Sequence, residues 1–152
     1  MYSKEHPYPT HHTVFLDTSA IAAILNEDDP LHEKAIVYYK KMIADGYSFI
    51  ITNFIIAETH VLLLKNTHSI AIGLQWLEEV AYQAFTVIRP HKEDEEQAIQ
   101  LLKKYHDKAW SFTDALSFSI MEKLQIPYYF SFDDDFKQIG KFIDITRYIK
   151  RL

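Results

Sequence analysis

Hydrophobic and polar positions alternate in two rhythms along this chain. Short β-branched and aromatic runs at 13–16, 47–51, 85–88 and 127–130, with a weaker one at 142–146, read as strands. Longer stretches of helical period lie between them, at 19–26, 31–44, 53–65, 69–82, 92–105 and 112–124, with a short turn at 134–138. Strands that alternate with helices predict right-handed crossovers. The expected fold is α/β, a three-layer α/β/α sandwich around a mostly parallel sheet of four to five strands. Punctuation agrees: Gly46 follows a helix that needs a left-handed cap, and Glu93, Asp94, Glu95 and Glu96 crowd a first helical turn where the dipole favours anions. Residues 1–11 read as a flexible tail and 12–152 as one domain.

Composition narrows the function. The 152 residues are 48% hydrophobic, enough for a core and too much for a disordered chain. With no cysteine, disulfides, thiol nucleophiles and zinc–thiolate sites are excluded, and a reducing cytoplasm is the expected setting. The polar, proline-broken start has no apolar leader segment, and Glu58, His60 and Lys65 interrupt the most apolar stretch, so no membrane role is expected. Three glycines leave no G-x-G-x-x-G and no P-loop, which removes nucleotide cofactors bound by those routes. None of the eight histidines forms H-E-x-x-H, and His91 and His106 read as surface residues. The net charge of −5 is the wrong sign for binding nucleic acid by bulk charge; such a role needs local basic patches or bound cations.

Four acids sit against the grain of this pattern. Asp17 follows the run Val14-Phe15-Leu16, at the carboxyl end of the first strand, where open α/β sheets gather their ligands; it reads equally as a helix N-cap. Glu58 has Phe54, Ile55, Val61 and Leu62 as its helical neighbours, which sets a carboxylate on an apolar stripe. Such burial costs roughly several kcal/mol unless a cation compensates it, a lysine or a metal ion. Asp114 lies in Ser111-Phe-Thr-Asp114-Ala, nearly a capping box, and local sequence favours that role. Asp133 opens Asp133-Asp134-Asp135 just past the fourth strand, three adjacent acids that repel unless solvated or neutralised. As a set they offer hard oxygen donors without histidine or cysteine, which suits magnesium or manganese.

The ordered set resembles the PIN-domain ribonucleases. Asp17-Thr-Ser after a hydrophobic strand is similar to their opening motif. Glu58 in an apolar helix and Asp114 in Phe-Thr-Asp-Ala-Leu resemble their second and third acids. Ser131-Phe-Asp133-Asp-Asp-Phe136 is similar to their T-x-D-x-x-F element, with Ser131 in the threonine place. The match runs over about residues 13–146. It implies an α/β/α sandwich that cleaves single-stranded or looped RNA to 5′-phosphate products, with Asp17, Glu58, Asp114 and Asp133 holding Mg2+ or Mn2+ and acting as the catalytic set. Size places it nearest the VapC-type toxins of toxin–antitoxin pairs, which implies a homodimer inhibited by a small antitoxin, bound at the apolar helix pair 53–82. Thr18 and Ser131 are supporting residues in this reading. Asp135 is an extra ligand or a spectator, and Asp134 departs from the basic or neutral residue of many relatives. RNA steering falls to Lys103, Lys104 and Lys108, or to Lys141, Arg147, Lys150 and Arg151, against an ordinary charged surface as the plain alternative. A PIN-fold module that processes or binds RNA or protein without cutting is the rival reading. A receiver domain ranks low because the third strand ends Val-Ile-Arg-Pro, and a two-aspartate phosphatase ranks low because Asp17-Thr-Ser lacks the second acid.

Overall fold

The strand β1, Thr13–Leu16, is buried at every position, as the central strand of a parallel sheet covered on both faces must be. A computed structural model of the chain describes residues 12–149, so the expected N-terminal tail, Lys150 and Arg151 lie outside the described residues. Around β1 stand β2 (Ser48–Thr52), β3 (Thr86–Ile88), β4 (Tyr128–Phe130) and β5 (Ile143–Asp144) in the order β3-β2-β1-β4-β5. All four pairings are parallel. The five-stranded α/β sandwich expected from the alternation is therefore the observed architecture. Its connections run from β1 outward to β3, then return to the other side of β1 with β4. The topological switch point, where such folds bind ligands, falls between the carboxyl ends of β1 and β4.

The helices are α1 (Thr18–Leu25), α2 (His32–Ala44), α3 (Asn53–Thr67), α4 (Ile70–Gln75), α5 (Ala81–Ala84), α6 (Lys92–Lys104), α7 (Phe112–Leu124) and α8 (Asp135–Ile139). Two of them start without an intervening loop. Thr52 ends β2 and caps α3 at once, its Oγ1 accepting from the Ile55 N–H at 3.2 Å. Helix α1 likewise begins one residue after β1. Helix α7 is buried without a break from Asp114 to Met121 and packs against α6. An ion pair from Lys123, in the last turn of α7, to Asp94, in the first turn of α6, fixes these two helices as antiparallel neighbours.

One element departs from the expected pattern. The single helix read over 69–82 is α4 and α5 joined by a π-helical turn, Trp76–Val80. The widened turn shifts the helix face, so that Trp76 and Ala81, five positions apart, are both buried. The Trp76 indole N–H donates to the Ile56 carbonyl at 3.0 Å, which ties this insertion to α3. Helical periodicity contains no sign of such a turn, because the gain comes from tertiary packing.

Candidate active site

Strand register decides which residues meet. Leu16 pairs with Phe130, so the next residues along, Asp17 and Ser131, emerge side by side at the switch point. The Asp17 N–H donates to the Phe130 carbonyl at 3.1 Å and carries the ladder one step further. Asp17 occupies the N-cap position of α1, yet its side chain makes no capping bond. Its Oδ2 instead accepts from the Ser131 hydroxyl at 2.9 Å and the Ser19 hydroxyl at 3.2 Å. The two hydroxyls also shape the loop beyond β4. Ser131 Oγ accepts from the Asp133 N–H, and Ser19 Oγ from the Phe132 N–H, each at 3.0 Å. Ser19 is a site residue that sequence reasoning missed. Its place two positions after Asp17 was legible, but its bond across to the β4 loop is a product of the fold.

The carboxylates face one another. Asp17 is only 2% exposed. Its pKa is raised from 3.8 to about 7, by burial first, with the Ser131 bond opposing and the charges of Asp114 and Asp133 adding to the rise. Glu58, half-buried on α3, is also raised, by burial and then by Asp114 and Asp133, while the hydroxyls of Thr18 and Thr113 pull the other way. Asp133 stands exposed at the mouth and is raised by partial burial of its carboxyl and by Asp114 and Asp134. Asp135 is pushed up to about 6, by burial and then by Asp114, so it belongs to the same acidic group. The hydroxyl of Thr18 is buried beside Glu58 and reaches no partner at full hydrogen-bonding distance.

Asp114 serves two ends. Its Oδ2 accepts from the Ser111 N–H at 2.9 Å, and the Ser111 hydroxyl accepts from the Asp114 N–H at 3.0 Å, which completes the capping box. Yet its charge is felt by Asp17, Glu58, Asp133 and Asp135 alike. Among the described residues, no lysine or arginine forms an ion pair with any of these five acids. Nor do any three acids or histidines there lie close enough together, as placed, to grip an ion. The donor chemistry still fits a hard divalent cation: a carboxylate raised by burial and by neighbouring acids, among side chains that offer oxygen donors. Of the sequence-predicted steering residues, Lys108 pairs with Asp107 at 3.7 Å. Lys103 and Lys104 are exposed at the end of α6. That end lies beside the first turn of α7, which carries Asp114, because the two helices run antiparallel.

A parallel sheet of this order with acids gathered at its switch point is the framework of an α/β enzyme of the PIN kind. The PIN domain family model matches residues 14–142, and the chain belongs to that family. Two curated relatives, both described as the 23S rRNA-specific endonuclease VapC20, come from Mycobacterium tuberculosis strains CDC 1551 / Oshkosh and ATCC 25618 / H37Rv. Each is 32% identical over 137 residues, covering 87% of this chain and 97% of the relative. The crystal structure of Mycobacterium tuberculosis VapC20, titled a sarcin–ricin loop cleaving toxin, superposes with a TM-score of 0.75 at 28% identity. The superposition covers 86% of this chain and 97% of that one. The resemblance to PIN domains, and by size to VapC-type proteins, is thus met by both sequence and fold. Among the described residues, no helix is long and apolar enough to cross a membrane.

Proposed function

We propose that this protein is a Mg2+- or Mn2+-dependent endoribonuclease, the toxin of a toxin–antitoxin pair, and that Asp17, Glu58, Asp114 and Asp133 form its metal-holding and catalytic set. One observation carries the reading: a nearly buried Asp17, with no basic partner among the described residues, at the switch point of a PIN sheet and within the field of Asp114 and Asp133. Leaving such a group uncompensated costs several kcal/mol by roughly the measure of buried charges, and fold stability gains nothing from it. A divalent ion held there supplies the positive charge that a phosphodiester lacks and acidifies water at the site.

The chain's own residues supply the positioning. Ser131 donates to Asp17 and accepts from the Asp133 N–H, so one hydroxyl sets the spacing of two acids from different strands. Ser19 does the same from α1, holding Phe132 in the adjoining loop. Glu58 reaches the group from α3 because that helix starts directly at the end of β2. The similarity to proteins named as RNA-cleaving VapC toxins supports RNA as substrate and an antitoxin as partner, and the proposal takes a homodimer as working state and the cytoplasm as setting. Because VapC20 is described as acting on 23S rRNA at the sarcin–ricin loop, a hairpin of that loop is the first substrate to assay.

The test is cleavage of end-labelled RNA hairpins with Mg2+, Mn2+ or EDTA, using the parent and Asp17→Asn. Cleavage that needs the metal and disappears in Asp17→Asn is expected. A parent inert toward every hairpin in Mn2+, while still binding them, would replace the nuclease by a non-cutting RNA-binding module.

A further inference from the structure

Two clefts open on either side of Asp133. One, of about 430 Å3, is walled by Thr18, Ser19, Glu58 and Lys65. The other, of about 180 Å3, runs from Ser131 to Lys34 and Lys137. Asp133 is the one lining residue the two clefts share, so they meet at the acidic group and are otherwise walled by different segments. Lys34, Lys65 and Lys137 are exposed on three different helices, α2, α3 and α8. Among the described residues none of the three is ion-paired, although Asp134 and Asp144 share the smaller cleft. The Lys34 ammonium stands 5.8 Å from the centre of the Tyr38 ring. Lys103, Lys104 and Lys108 line neither cleft.

We infer, resting on the nuclease reading above, that a single RNA strand crosses the site along this line, its backbone phosphates held by Lys65 on one side of Asp133 and by Lys34 and Lys137 on the other. The smaller cleft is below the roughly 300–1,000 Å3 of ordinary ligand pockets, a size for part of a chain and not for a whole small molecule. A protein of net charge −5 whose reaction centre is itself anionic needs bound cations or local basic groups to draw phosphate, and these three ammonium groups flank that centre. Lysine meets phosphate as a point charge without the bidentate fork of arginine, which suits positioning a backbone. The track thus positions the strand, and sequence preference resides elsewhere.

The salt dependence of binding tests this. All proteins carry Asp17→Asn to stop cleavage, and a fluorescein-labelled RNA with a long single-stranded loop is titrated by anisotropy across a KCl series. Replacing Lys34, Lys65 and Lys137 together by Gln should lower the slope of log K against log salt by about 2, at roughly 0.7 per phosphate contact on a single strand. Replacing Lys103, Lys104 and Lys108 by Gln should leave that slope alone. An unchanged slope in the first triple variant, or a loss in the second instead, overturns the track. Parent protein is assayed for cleavage in parallel. If it cuts RNA while the first triple variant keeps its slope, the track falls and the nuclease reading stands. If it neither cuts nor binds RNA, both fall.

Discussion

Replacing Asp17 by Asn should make the metal-free protein more stable, by an amount that grows with pH. The unfolded chain releases this proton near pH 3.8 and the folded chain near 7, because burial and the neighbouring acids disfavour the charge. Between those values the folded state holds a proton that the unfolded state has lost. The parent is therefore unburdened below pH 3.8, loses stability as pH climbs, and carries the full cost above 7. At 1.36 kcal/mol per pH unit, a shift from 3.8 to about 7 amounts to on the order of 4 kcal/mol. Asn pays no such cost. Its carbonyl oxygen accepts the same Ser131 and Ser19 hydroxyls, and its amide offers donors to nearby carboxylates. For a chain of this length that difference corresponds to a rise in Tm of roughly 10 °C at pH 8. Thermal unfolding followed by circular dichroism in EDTA, from pH 3.5 to 8, reads it directly. A gap between parent and variant that ignores pH, or an Asp17→Asn protein less stable than the parent at pH 8, would refute the placement of a strained carboxylate at the switch point.

Adding Mn2+ should close most of that gap. At a hundredfold excess over Kd, an ion bound only by the folded state stabilises by about 2.7 kcal/mol, a gain in Tm of roughly 5 to 11 °C for the parent and little for Asp17→Asn, measured by the same melts at pH 7.5; equal gains in both proteins would put the ion elsewhere. Ser131→Ala removes the hydroxyl that links Asp17 to the Asp133 backbone and should reduce cleavage about 10- to 100-fold, the range for groups that orient metal ligands, while Ser131→Thr stays within a few-fold of the parent. Rates for Ser131→Ala and Ser131→Thr that match each other, in either direction, would deny the hydroxyl that role.

The strands and helices were legible because each run is long or uniform enough for its period to speak. The β-branched and aromatic 13–16 and the long amphipathic 92–105 are the clearest cases, and their observed counterparts differ by no more than a residue at an end. Glu58 stood out because an acid amid Phe54, Ile55, Val61 and Leu62 breaks a local pattern, but the buried face of that helix is Ile55, Ile56, Thr59 and Leu63, and Val61 is exposed, so Glu58 sits at the edge of the apolar face and not within it. What stayed hidden depends on distant segments meeting. The π-helical turn at Trp76 answers to α3, twenty residues back. Ser19 acquires its meaning only when β4 lies beside β1, and Lys34 and Lys137 become neighbours only through the cleft between α2 and α8.

Asp114 shows why the local reading of a residue does not exhaust it. Local sequence favoured a cap, and the cap exists, with both bonds of the box in place. A cap, however, engages one carboxylate oxygen, and a carboxylate has two, with lone pairs for about four donors. The box uses Oδ2 and fixes the side chain at the first turn of α7, which the chain crossings bring to the carboxyl ends of β1 and β4. Capping thus orients the residue and leaves its charge to act on Asp17, Glu58 and Asp133. The two readings that competed at the level of sequence describe successive steps of one arrangement: the helix start holds the acid, and the held acid raises the field that the proposed cation would relieve.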